Sequence, residues 1–274
     1  MTPEEHREAV LAWRAERDAR LRDPDGWLTL VGLHWLEPGE NRLGSAFDNE
    51  VVLRGTGVPE RAGSLVLQAE RVVLRRAGHP DLAMEPDVSG EPTTLDLGTL
   101  RMYVIRRGER FGLRVRDHAS PALAAFRGMD HFPIDTAWRF EGRLERAQPG
   151  ETLQVVDVIG LVTQEPSPGA VVFERDGREW RIHALPGDED GSLWLVFADA
   201  TNGRTTYGGG RFLYTEPVQD DGGVVVDFNL AYNPPCAFSA FATCPLPPPA
   251  NRLALAIEAG ERAYQPAGSS EAGH

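Results

Sequence analysis

From Trp27 onward the chain is a succession of short apolar or alternating runs, separated by turn-forming residues at intervals of about ten, and no other feature constrains its fold as strongly. Period-two alternation sends successive side chains to opposite faces of an extended strand, so each run can cover one side of a core. Gly, Pro, Asn and Asp between the runs reverse the chain. The runs fall at residues 50–53, 64–67, 71–74, 102–105 and 111–115, then at 138–144, 152–158, 171–174, 180–183, 193–197 and 224–228. Leu253, Leu255 and Ile257 continue the alternation and predict a last strand, with a short helix as the alternative. A β-branched run meets an aromatic-led run across Arg175-Asp176-Gly177, the strongest hairpin signal in the chain. Asp188-Glu189-Asp190-Gly191 and Asp220-Asp221-Gly222-Gly223 read as similar turns. The expected class is mainly β, built as a sandwich or barrel.

Ahead of this pattern, Thr2, Pro3, Glu4 and Glu5 read as N-cap, first-turn proline and the acid of a capping box. A helix to about Leu21 follows, stopped by Asp23-Pro24-Asp25-Gly26. The expected organisation is an N-terminal helix (1–24), a β-sandwich-like subdomain (25–105), a C-terminal β-barrel or sandwich-like subdomain (106–264) and a small, polar, disordered tail (265–274).

Composition removes several functions. A chain of 274 residues buries a core without disulfides or metal. A net charge of -13 with no basic block repels nucleic acid and anionic membranes, so neither is expected as a partner. All 28 positive residues are arginine. The absence of lysine excludes a Schiff base, a pyridoxal-phosphate lysine and a P-loop lysine, leaving arginine, backbone N–H groups or a metal to hold any anion. The charged first twenty residues lack the apolar region of a secretory signal, and no stretch approaches about 20 consecutive apolar residues, so a cytoplasmic location is expected. Cys236 and Cys244, with seven residues between them, form neither a disulfide framework nor a CxxC motif and are expected to be reduced thiols.

Three blocks carry a broad resemblance. They are Gly26-Trp27-Leu28-Thr29-Leu30-Val31-Gly32-Leu33-His34-Trp35-Leu36, then Arg116-Asp117-His118-Ala119-Ser120-Pro121 with Phe132-Pro133-Ile134, and finally residues 205–213 with 227–238 and Cys244-Pro245-Leu246-Pro247. Together they resemble a bacterial and archaeal family described as domain of unknown function 1684, a likeness that implies no activity. A second, local resemblance lies in residues 36–66, where Leu36-Glu37-Pro38-Gly39-Glu40-Asn41-Arg42-Leu43-Gly44 and Asp48-Asn49-Glu50-Val51-Val52-Leu53 look like the opening strands of a forkhead-associated β-sandwich. That family grips phosphothreonine with an arginine after the glycine and a later Ser-Arg-x-His segment. Here Ser45 stands in place of the arginine, and Glu60-Arg61-Ala62-Gly63 lacks the serine and histidine.

Chemistry-bearing residues concentrate between Asp199 and Asn251. In residues 199–211 the three consecutive glycines 208–210 permit close backbone approach, Thr205 and Tyr207 offer hydroxyls, and Arg211 supplies a planar fork for carboxylate or phosphate. The structural alternative pairs Arg211 with a carboxylate such as Asp227. In residues 227–236, Asp227, Asn229, Tyr232, Asn233 and Cys236 precede or flank an Asn-Pro-Pro step that fixes the backbone and could include a cis peptide. Plain structural corners have the same composition. The functional expectation is a C-terminal pocket that binds a small polar or anionic metabolite through Arg211, Tyr207, Thr205, Asn229, Asn233 and Cys236. Hydrolysis with Asp199 or Asp227 as base is the simplest turnover, and no cofactor is expected. Two alternatives compete with it: a non-catalytic interaction module on the N-terminal sandwich, and a metal enzyme using Cys236, Cys244 and one of His34, His118 or His131.

Overall fold

A computed structural model describes residues 1–188 and 190–266 and is mainly β. Apart from Gln265 and Pro266, the expected tail lies outside the described residues, as does Glu189. The chain forms two compact units. One is Arg22–Phe126, and the other joins Met1–Leu21 to the chain from Arg127 onward.

The Arg22–Phe126 unit contains β1 (Leu30–Trp35), β2 (Gly39–Gly44), β3 (Val51–Val52), β4 (Gly63–Gln68), β5 (Arg71–Arg75), β6 (Leu82–Ala83), β7 (Thr94–Leu97), β8 (Leu100–Arg107) and β9 (Arg110–Asp117). They form two sheets, ordered β1-β9-β8-β7 and β3-β2-β4-β5-β6. Inward residues of both, such as Leu43, Leu65 and Leu74 from one and Met102, Val104 and Leu113 from the other, make a single core. The boundary expected after residue 105 falls inside the β8/β9 hairpin, which pairs Ile105 with Gly112 and keeps β9 in this unit.

In the second unit, α1 (Pro3–Leu21) starts on the expected capping box: the Thr2 backbone N donates to Glu5 Oε2 at 2.6 Å and the Glu5 N to Thr2 Oγ1 at 3.3 Å. The strands are β10 (Arg139–Arg146), β11 (Thr152–Asp157), β12 (Val162–Pro166), β13 (Gly169–Arg175), β14 (Arg178–Pro186), β15 (Leu193–Phe197), β16 (Arg211–Tyr214), β17 (Gly223–Asp227) and β18 (Pro245–Leu246). A six-stranded antiparallel sheet runs β16-β15-β14-β13-β10-β17, beside a three-stranded sheet β12-β11-β18. The expected hairpin at 175–177 joins β13 to β14, with Arg175 opposite Arg178. Asp176 and Gly177 have φ of 56° and 71°, the left-handed pair that a two-residue turn between right-twisted strands requires. Phe173, Phe197, Phe228, Ile182 and Val226 fill the core.

The strand expected at 253–257 does not form. Leu253 and Ile257 are buried, but the backbone there is irregular, with a single bridge between Arg252 and Ala198. Its polar groups find other partners: the Leu253 N donates to Ala198 O, the Ile257 N donates to Asp199 Oδ1, and the Ile257 carbonyl accepts from Arg211.

Candidate functional site

The residues singled out between Asp199 and Asn251 sort into four clusters within the second unit. In the first, Arg211 begins β16 and is wholly buried, as is its partner Asp199, just beyond β15. Arg211 Nη2 donates to Asp199 Oδ2 at 2.7 Å and to Ile257 O at 2.8 Å, and Nη1 donates to Ala259 O. Asp199 Oδ1 accepts from the Thr201 N and Oγ1 and the Ile257 N. Burial lowers the guanidinium pKa, and Asp199 opposes that shift. Asp199 therefore takes the place expected for Asp227, because the turn at residues 199–206 folds its carboxylate back onto the strand that carries Arg211. Thr205 lies exposed at the tip of that turn.

In the second cluster, Asp227 ends β17 and meets His6 of α1, with Nε2 and Oδ2 2.5 Å apart and both side chains buried. Its other oxygen accepts from the Asn229 N and Nδ2, at 3.0 and 2.7 Å. Asn229 also clamps the Asp135 backbone through both ends of its amide. Asn233 belongs to the third cluster, where its N and Nδ2 both donate to Glu261 Oε2, and Arg17 of α1 donates from Nε to Glu261 Oε1 at 3.0 Å and from Nη2 to Asn233 O at 2.9 Å. The Arg17 guanidinium also lies 4.8 Å from the Tyr232 ring centre. The Asn-Pro-Pro step is trans throughout, with no cis peptide among the described residues.

Tyr207 and Cys236 make the fourth. The Tyr207 hydroxyl donates to the Cys236 carbonyl at 3.1 Å, and the Cys236 N donates to Cys244 Sγ at 3.1 Å. Burial raises the Tyr207 pKa. Among the described residues no group of three or more His, Cys, Asp or Glu side chains is placed to hold a metal ion. His34 and His118 belong to the Arg22–Phe126 unit, and His131 bridges to the Glu261 backbone.

Arg211, Asp227 and Asn233 thus do not share a cavity, and each is engaged in its own buried contacts. What is open lies beside them. A half-open groove of about 490 Å³ runs between β11 and the chain after β18, lined by Leu153, Val156, Leu246, Pro247 and Pro248, with Gln154 and Arg252 supplying polar groups. The glycine loop supports its proline wall from behind. Gly210 has φ 95°, and a Cβ there would stand 2.3 Å from Pro247 Cγ and 2.7 Å from Phe197 O, so only glycine lets the loop pass. Asn251, wholly buried, fixes the other end by bonding the His183 N and O and the Val196 O as a third strand would. It thereby holds Arg252, whose guanidinium makes no ion pair among the described residues, at the groove.

Pattern reading missed His6, Arg17, Asn251 and Glu261. The one available signal was the spacing of His6, Val10, Arg17 and Leu21, which places all four on the buried face of α1.

The Arg22–Phe126 unit has a hollow of its own, about 600 Å³, into which Arg42, Arg61, Arg75, Arg76 and His79 come together. Arg42 pairs with Glu50, Arg61 with Asp48 and Arg75 with Asp81. Ser45, at the position of the forkhead-associated arginine, donates its hydroxyl to Val58 O.

No helix among the described residues is long and apolar enough to cross a membrane. No curated protein matches the chain. Among solved structures, the solution NMR structure of an uncharacterized protein of Haloarcula marismortui is 34% identical, over 50% of this chain and 77% of that one, with a TM-score of 0.42. Residues 124–262 match the family described as Protein of unknown function (DUF1684), which spans half of the chain, both cysteines and the whole groove. The chain belongs to that family.

Proposed function

We propose that this protein binds a small organic anion with an apolar body, its head group on Arg252 and its body along Leu153, Val156, Leu246 and the proline wall. The observation that carries this reading is a guanidinium without an ion pair at an apolar groove, in a chain whose net charge is -13. About 490 Å³ lies within the roughly 300–1,000 Å³ usual for small-molecule sites. Arginine's fork suits a carboxylate or phosphate head. The lining holds no carboxylate, histidine, thiol or hydroxyl, so the reading is binding and not turnover. Asp199 and Asp227, the bases expected from sequence, are occupied by Arg211 and His6.

The test is thermal stabilisation by straight-chain carboxylates of increasing length. A ligand at a hundred times its Kd stabilises the folded state by about 2.7 kcal/mol. Stabilisation should grow with chain length and disappear in Arg252→Gln. Absence of stabilisation at every length, or an undiminished response in the variant, refutes the reading.

The hollow in the Arg22–Phe126 unit favours a second reading, a non-catalytic surface for an acidic partner segment, because Arg76 brings a guanidinium without an ion pair among the described residues beside three paired ones. A poly-glutamate peptide should then bind in low salt and lose affinity in Arg76→Ala. Equal binding by the variant removes this reading.

A further inference from the structure

Neither reading above uses the two cysteines, yet the fold brings them together. Cys236 sits in the short helical turn Pro235–Ala237, and Cys244 directly precedes β18. The seven residues between them fold back, with the Ser239 N bonded to Pro235 O and the Ala242 N to Ser239 O. The Cys244 carbonyl accepts from the Val158 N at 2.9 Å, which holds that end against the turn after β11. The result is a Cys236 N to Cys244 Sγ distance of 3.1 Å, with the Cys244 side chain also hydrogen-bonded to the Cys236 thiol. A sulfur this close to the other cysteine's backbone, with the two thiols hydrogen-bonded, leaves the side chains within reach of one another for a disulfide. Neither is in a disulfide, and Cys236 is half-buried while Cys244 is only 3% exposed.

We propose that Cys236 and Cys244 are a thiol–disulfide redox couple whose exchange partner is a low-molecular-weight disulfide, Cys236 reacting first and Cys244 resolving. The order follows from exposure, since only Cys236 is open to an incoming molecule. The thiolate is the attacking species, and the cluster favours it: the Cys244 hydrogen bond lowers the Cys236 pKa to about 7 against the cost of burial. An attacking thiol with a pKa near ambient pH combines thiolate population with nucleophilicity.

In the first step the Cys236 thiolate attacks one sulfur of R–S–S–R. A Cys236–S–S–R bond forms, the R–S–S–R bond breaks and RS⁻ leaves. In the second, Cys244 gives up its proton and attacks the Cys236 sulfur, so that the Cys236–Cys244 bond forms and a second RS⁻ leaves. The protein loses two electrons and two protons, and the small disulfide becomes two thiols once each RS⁻ is protonated.

The experiment uses the full chain, fully reduced, with oxidised glutathione as the probe and acid quenching before intact-mass analysis. The wild type should lose the mass of two hydrogens, hold no glutathione and become resistant to alkylation at both cysteines. Cys244→Ser should stop at one glutathione adduct on Cys236, and Cys236→Ser should show neither product. Half-maximal exchange rate should fall at about pH 7 in the wild type and at higher pH in Cys244→Ala, because the variant lacks the hydrogen bond that stabilises the thiolate. The wild-type mass needs no variant to fold and decides the matter by itself: two alkylatable thiols remaining in excess oxidised glutathione, or an adduct that never resolves, overturns the proposal.

Discussion

Removing Arg211 while leaving Asp199 in place should cost the protein a large part of its stability. Both side chains are fully excluded from solvent, and the guanidinium is bonded to one carboxylate oxygen and to the Ile257 and Ala259 carbonyls. Arg211→Met keeps much of the volume but leaves a buried carboxylate without its counter-ion and two carbonyls without their donor. Breaking a buried pair from one side costs about 3–5 kcal/mol, against a total stability of about 5–15 kcal/mol. With a urea slope of about 1–3 kcal/mol/M, the midpoint followed by tryptophan fluorescence should fall by roughly 1 M or more. Asp199→Asn alone should also destabilise, since it strips the charge that opposes the burial penalty on Arg211. The double variant should be less unstable than the sum of the two, with an interaction energy of about 0.5–3 kcal/mol, because neither buried charge is then left behind. An Arg211→Met change of less than about 0.5 kcal/mol, the range of ordinary surface substitutions, or two single effects that simply add, would refute a structural role for the pair. A ligand-gripping arginine would behave in the opposite way, its removal relieving strain and leaving stability unchanged or raised.

Two further perturbations probe the same unit. Burial, aided by the Arg14 charge, pushes the His131 imidazole down from 6.5 to about 4, so between these values the unfolded chain binds a proton that the folded chain refuses. Stability contributed by neutral His131 is complete above about pH 6.5 and is lost as pH falls toward about 4; urea midpoints across that window should decline, and His131→Gln should flatten the decline. Gly210→Ala should destabilise by more than about 1 kcal/mol, since the new Cβ meets Pro247 and the Phe197 carbonyl at a positive φ. A chemical-denaturation measurement showing a neutral or stabilising effect would mean that the loop is not held against the proline wall.

What could be read from the residues alone was what depends on neighbours in the chain. The Thr2/Glu5 box closes over three residues, and the Asp176-Gly177 turn needs only a pair that tolerates positive φ. The strand runs follow from alternation, which survives whatever the strands pair with. The partner of Arg211 could not be read this way. Asp199 and Asp227 lie 12 and 16 residues from it, and only the fold of the 199–206 turn decides between them. The buried roles of His6 and Arg17 were carried only by their spacing with Val10 and Leu21, a signal hidden by the usual assignment of charged residues to the solvent side, since here they occupy the inward face of α1. The expected strand at 253–257 misled because alternation reports which side chains are buried, and leaves open whether the backbone has a ladder to join.

That last distinction explains the composition that made residues 199–251 conspicuous. The chain there and on to Glu261 passes through the interior largely without regular strands, and its prolines have no N–H to donate. Every buried carbonyl and amide on such a path still needs a partner, at a cost of about 1–3 kcal/mol if left unmade. Sheets supply those partners from backbone; here side chains do. Asn251 completes the edge between His183 and Val196, Asn229 clamps Asp135, Arg211 serves Ile257 and Ala259, and Arg17 with Glu261 serves Asn233. Amides and paired charges are therefore required by irregular backbone in a buried place, whether or not a ligand is bound nearby. A binding residue in this family is better sought among polar groups that the backbone does not already employ, and Arg252, adjacent to Asn251 and pointing into no such contact, meets that criterion.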